Sequence, residues 1–333
     1  MRGSPVLLAF AVACGQSSST APPPDPCTPA GGGASASSAG GLLAWSVNPQ
    51  ATDACITTRP DSHFVYVSPT APLKGRLFVF LPGSGAIAQN YRLVVQEAAR
   101  AGYHAIGLTY VNDTPVGALC AGQPGTCYGD ARREILTGEA VSGVVSVDRP
   151  NSIENRLLKL VAFMQAQDPA RGWGQFAPSG ALDWSKISVA GHSQGGGHAL
   201  YIAQRHVVFR ATAFASGGDL VSGQPAPWVA QPFATPASRI FGFISELDEL
   251  VDYQGTIAAW TGVGLGAFGA PVRAESSAPP YGGTHMLSTV LPPRNPGLVV
   301  GPNHNVSVVD VNTPLAGGVP TFAPAWGYLA FPD

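Results

Sequence analysis

Short apolar runs alternate with stretches of helical spacing along this chain, and Gly- and Pro-rich breaks separate them. The runs at 63–67 (HFVYV), 76–81 (RLFVFL), 104–110 (HAIGLTY), 186–190, 211–215, 239–245 and 272–275 predict seven strands. Between them, 91–101 places Leu93, Val94, Glu97 and Ala98 on one helical face. A second helix is expected from a cap at Asn151 or Ser152 as far as Gln167, with Ile153, Leu157, Leu160, Val161 and Met164 on one side. A third covers 199–204, and no internal repeat is evident. Strands that alternate with helices imply a mostly parallel sheet covered on both faces. Such a sheet carries its chemistry beyond the C-terminal ends of its strands. The strand at 186–190 is expected at the centre, with three more strands following it.

The join between that strand and the next helix reads ISVAGHSQGGGHALYIAQ, residues 187–204. Gly191-His192-Ser193-Gln194-Gly195 fits G-x-S-x-G, the nucleophile elbow. A strand that reverses into a helix within a few residues strains the serine backbone. It also brings the positions two residues away so close that glycine is what fits there. The turn lifts Ser193 Oγ above the sheet. The helix N-terminus aims its N–H groups at the same spot, which favours a developing negative charge. A serine hydroxyl attacks poorly until a His removes its proton, and that His needs an orienting carboxylate. A tetrahedral oxyanion needs two backbone donors. One is expected from Gln194, and the other from the loop FLPGSGA, at Ser84 or Gly85. His192, which the elbow points away from the Ser193 side chain, reads as a packing or hydrogen-bonding residue, and His198, on the helix behind the elbow, as structural.

The order of these parts resembles the α/β-hydrolase fold, from Leu42 to the C-terminus. GHSQGGG is similar to the elbow of secreted bacterial lipases, cutinases and polyester hydrolases. RREILTG, NSIENRLLKL and VAGHSQGGGHA together resemble a family of exported bacterial hydrolases. The resemblance implies a serine hydrolase that cleaves carboxylic esters through an acyl-enzyme at Ser193, with no cofactor and no metal. Its substrate is a small-molecule or polymeric ester. In that fold the chain order is Ser, then Asp or Glu, then His. The acid is expected in SELDELVDY, where Asp248 fits best and Glu246 is the alternative; Asp252 suits the start of the following helix. Two histidines compete as base. His285, in PPYGGTHMLST, follows the expected last strand directly. His304, in GPNHNVSVVD, takes the role if 297–300 (GLVV) is the last strand. The stretch between 217 and 239 is too short for a large helical lid, so a shallow, open site is expected, with the insertion at 112–151 as one wall. A noncatalytic surface binding protein on the same fold and a serine peptidase are the alternative functions. The complete set of candidate Ser, acid and His argues against the first.

Composition narrows the picture further. Only 11% of the 333 residues are charged and 45% are hydrophobic, which fits a loop-rich globular chain. The net charge is −2 and no basic patch stands out, so nucleic acid is not an expected partner. Residues 1–14 read as a targeting segment, with Arg2 ahead of an apolar stretch at 6–12 that is too short to span a bilayer. Ala11-Val12-Ala13-Cys14 resembles a bacterial lipobox, which makes Cys14 the lipidated first residue of the mature chain; an ordinary secretory signal is the alternative. A Ser/Pro/Gly-rich tether is expected at 15–40 and the hydrolase domain at 41–333. The expected location is the bacterial cell envelope or beyond it, with membrane contact only through the anchor. Four other cysteines allow three disulfide pairings. Cys120 and Cys127 flank the turn-rich AGQPGT and are paired, which leaves Cys27 with Cys55.

Overall fold

The computed structural model describes Met1, Cys27 and residues 34–333. Ten strands form one sheet: β1 Ser37–Ala39, β2 Leu42–Val47, β3 His63–Val67, β4 Leu77–Leu81, β5 His104–Gly107, β6 Ile187–His192, β7 Arg210–Phe214, β8 Ile240–Ser245, β9 Val272–Arg273 and β10 Met286–Thr289. Across the sheet they run β1-β2-β3-β5-β4-β6-β7-β8-β10-β9. Pairing is antiparallel from β1 to β5 and parallel from β5 to β9. This order, with its crossover at β5-β4-β6 and the elbow strand in the centre, is the α/β-hydrolase fold.

Period-two alternation splits each central strand between two core layers. Leu77, Val79 and Leu81 of β4 face one layer, and Phe78 and Phe80 face the other. The helices divide the same way. The first layer holds Ile135 from α2 (Thr126–Thr137), Leu157 from α3 (Ile153–Gln167) and Leu200 from α4 (Gln194–Arg205). The second holds Val95 from α1 (Arg92–Arg100) and Trp326 from the C-terminal helix Ala323–Ala330. Both faces of the sheet are therefore covered.

All seven expected strands are present; 63–67 has the expected bounds, the other six have shifted ends, and β9 is reduced to two residues. Three strands were not foreseen. β1 and β2 extend the antiparallel edge, so the tether expected at 15–40 gives way to sheet by Ser37. β10 inserts between β8 and β9, and Met286–Thr289 is therefore the last strand of the sheet in chain order. Residues 297–300 form turns and bends, not a strand. Ser152 caps α3 by accepting the Asn155 N–H at 3.3 Å, and Asp252 caps α5 (Tyr253–Gly262) through the Gly255 N–H.

Both expected disulfides are formed, Cys27–Cys55 and Cys120–Cys127. The first closes a loop of 28 residues, which restrains the unfolded chain by about 3–4 kcal/mol on the loop-entropy account. Between β7 and β8 stand the small hairpin Leu220–Val221 with Gln224–Pro225 and a single 3-10 turn, Ala237–Arg239, with no helical lid among the described residues. The lipidation candidate Cys14, the segment 1–14 beyond Met1, and the tether before residue 34 other than Cys27 lie outside the described residues. Among the described residues no helix is long and apolar enough to cross a membrane.

Candidate active site

The elbow has the geometry its glycines demand. Ser193 sits between β6 and α4 at φ 53° and ψ −117°, a region that costs a non-glycine residue about 1–3 kcal/mol. Its N–H donates to Phe214 O at 2.8 Å and its C=O accepts from Gly197 N at 3.0 Å, which holds the turn in place. A Cβ on Gly191 would overlap the backbone of Gly195. One on Gly195 would overlap the carbonyls of Leu81 and Pro82, and one on Gly197 the Arg132 guanidinium. Backbone lies on the far side of the first two contacts and cannot swing away. Gly195→Ala is therefore expected to lower stability by about 3 kcal/mol and to displace Ser193. A thermal melt reads the first effect, and an unchanged melting temperature would show that the elbow relaxes.

Beyond the C-terminal end of β8, Asp248 turns inward. Its side chain is fully buried and accepts the N–H groups of Leu250 and Val251 at 2.9 and 2.8 Å. It also accepts from His304 Nδ1, at 2.8 Å to Oδ2 and 3.0 Å to Oδ1. A carboxylate can only accept, so the proton is on Nδ1. His304 belongs to the short helix α6, Pro302–Asn305. Gly301 enters α6 at φ 63° and packs so closely on Leu250 that a side chain there would collide with it. Glu249 completes the attachment: it accepts the backbone N–H groups of Asn303 at 3.1 Å and His304 at 2.9 Å. Burial works to raise the Glu249 carboxyl, but these N–H groups outweigh it and hold it below the usual carboxylate range. Among the described residues neither Ser193 Oγ nor His304 Nε2 carries a hydrogen bond, and both residues line one cavity of about 620 Å³.

The expected oxyanion loops meet at the same cavity. Ser84 Oγ donates to Gln194 Oε1 at 2.7 Å. Gly83 N–H is taken by Tyr91 Oη at 3.1 Å, and Gly85 N–H by Asn112 O at 2.8 Å. The Ser84 N–H has no acceptor among the described residues, and Gln194 N–H, in the first turn of α4, has no intrahelical one. Of the two alternatives in FLPGSGA, Ser84 is thus the one with its donor available.

The structure keeps His285 away from this cluster. It immediately precedes β10, at the N-terminal end of the parallel strands. Its ring is sandwiched between Phe268 (3.7 Å) and Phe241 (3.9 Å), and Nδ1 donates to Ile240 O and Ala237 O at 3.0 and 3.1 Å. Those carbonyls lie at the start of β8, whereas Asp248 lies past its end, on the order of 20 Å away. Burial lowers the His285 imidazole below its ordinary value. Glu246 is also committed elsewhere. It pairs bidentately with Arg273 at 2.7 and 2.6 Å and accepts from Ser288 Oγ at 2.8 Å, which ties β8 to β9 and β10. His198 is fully buried behind the elbow, as expected of a structural residue.

One cluster was not foreseen. Arg132 on α2, from the insertion expected to form a wall, makes a buried pair with Asp219 and donates to Gln194 O at 3.1 Å. Asp219 also accepts from Trp228 Nε1 at 2.7 Å. The guanidinium thus braces the first turn of α4, and its charge is met inside the wall by Asp219. Nothing in the local sequence links Arg132, one of two adjacent arginines in RREILTG, to Asp219.

No protein-family model matches this chain, and no curated protein matches it. Among solved structures, the chain is similar to the crystal structure of MGS-M1, an alpha/beta hydrolase enzyme from a Medee basin deep-sea metagenome library. The two share 14% identity at a TM-score of 0.34, over 67% of this chain and 76% of that one.

Proposed function

We propose that this chain is a serine hydrolase that cleaves carboxylic esters through an acyl-enzyme at Ser193. The supporting observation is the Asp248–His304 pair opening into the same cavity as a serine on a strained elbow. In this reading His304 Nε2 takes the Ser193 hydroxyl proton as Oγ attacks the ester carbonyl carbon. The carbonyl oxygen becomes an oxyanion held by the N–H groups of Gln194 and Ser84. As it collapses, the C–O bond to the alcohol breaks and His304 returns the proton to the leaving alkoxide. Water then repeats the sequence on the acyl-enzyme, which releases the acid. Asp248 keeps the ring in the Nδ1–H tautomer and stabilises the imidazolium that forms at each step. Val116, Ala86, Leu220 and Val251 give the cavity apolar walls, and Arg132 is neutralised by Asp219. An uncharged acyl group suits such a lining.

Turnover of 4-nitrophenyl esters from acetate to dodecanoate, set against 4-nitroanilides of the same acids, tests the reading. Ester hydrolysis blocked by a fluorophosphonate is the expected result. Faster amide cleavage would indicate a peptidase. No turnover together with no labelling would indicate a binding protein.

The same proposal covers export. Cys14 becomes the acylated N-terminus of an envelope protein, anchored by chains worth about 0.8 kcal/mol per buried CH₂. Cys14→Ser is expected to move the protein from the membrane fraction to the soluble fraction. Wild-type protein recovered entirely soluble, with Cys14 unmodified or removed, would overturn this.

A further inference from the structure

His192 precedes the nucleophile and plays no part in the proton transfers above, yet it is buried against the base. Its Nε2 lies 3.1 Å from His304 O, and its ring centroid 4.7 Å from that of His304. On its other side Nδ1 lies 3.0 Å from Tyr91 Oη, which accepts the Gly83 N–H at 3.1 Å. The chemistry of these atoms fixes the direction of every bond. A carbonyl only accepts, so Nε2–H of His192 donates to His304 O. Nδ1 must then accept the Tyr91 hydroxyl proton, and the Tyr91 oxygen accepts from Gly83. The result is one buried chain running from the oxyanion loop through Tyr91 and the elbow strand to the base. Burial, aided by the facing His304, holds the His192 imidazole well below its ordinary value, so it keeps this neutral form.

We propose that His192 is a positioning residue that fixes His304 relative to Ser193; this rests on the serine-hydrolase reading. His304 is gripped at three points by three titratable neighbours. Asp248 holds its ring, Glu249 its N–H, and His192 its C=O. Asp248 and Glu249 both belong to the loop after β8, so they hold His304 to that loop alone. His192 provides the hydrogen bond from His304 to the strand that carries the nucleophile. Without it, α6 and the 248–251 loop can shift together away from Ser193 while the Asp248–His304 bond survives. A misplacement of about 1 Å can cost on the order of 100-fold in rate.

The test compares His192→Phe with His192→Gln in the full chain. Phe keeps the ring bulk and loses both bonds. Gln offers an amide N–H for His304 O and a carbonyl for the Tyr91 hydroxyl. For His192→Phe we expect kcat on 4-nitrophenyl butyrate to fall about 30- to 100-fold with KM within about twofold. The acid limb of its pH–rate profile should shift, and the downfield proton resonance of His304 Nδ1–H should broaden or move. His192→Gln should recover most of kcat and the wild-type resonance. The proposal is overturned if folded His192→Phe keeps kcat within about twofold with an unchanged resonance. It is equally overturned if both variants lose activity alike, in step with a lowered melting temperature and with an unmoved pH profile. A wild-type protein that hydrolyses no ester would instead sink the serine-hydrolase reading, while the resonance still reports on how His304 is held.

Discussion

Ser193→Ala is expected to lower ester turnover by about 10⁴-fold or more while the protein still folds. The size follows from what is removed. The attack then falls to water, and binding and the oxyanion donors supply only the remainder. Folding should survive because alanine is smaller and the elbow is held by backbone bonds to Phe214 and Gly197, which do not involve Oγ. Relief of a polar group in a strained turn can even raise the melting temperature slightly. Steady-state assays with a matched thermal melt separate the two effects. Residual turnover above about 1% of wild type would point to another nucleophile.

The two histidines should respond in opposite ways. His304→Ala is expected to cost nearly as much turnover as Ser193→Ala, and the double variant little more than either, because groups that act on one proton are not additive. Stability should fall as well, since Asp248 keeps its buried carboxylate but loses its ring partner. His285→Ala should leave turnover per folded molecule close to wild type. It removes a ring packed between Phe241 and Phe268 and is expected to destabilise by about 2–4 kcal/mol. Unfolding midpoints in denaturant check this. Loss of turnover in folded His285→Ala equal to that in His304→Ala would contradict the assignment.

The contrast between these histidines shows what was legible in the sequence. The central strands announced themselves because a strand buried on both faces leaves an unbroken apolar run, as in RLFVFL. The elbow was legible because backbone crowding at Gly191 and Gly195 excludes every side chain, and such a demand is written in residue type. Asp248 followed from its place after β8. The base could not be settled, because β10 is only MLST, four residues of which two are strongly apolar, and its membership of the sheet depends on β8 beside it. Counting Val272 onward as the last strand made His285 appear to follow it, when His285 in fact precedes β10. Long-range pairs left no local trace. Arg132 and Asp219 lie 87 residues apart, and His192 and His304 lie 112 apart. Only their packing brings them together.

In the proposed mechanism Ser193 is the group acylated during turnover and His304 is its base. Peptide mapping by mass spectrometry after reaction with a fluorophosphonate identifies the residue that reacts. A single phosphonyl adduct is expected, on Ser193, forming rapidly in wild type and at least about 100-fold more slowly in His304→Ala. An adduct on another cavity serine such as Ser84 or Ser216, or labelling of Ser193 unaffected by loss of His304, would contradict that mechanism.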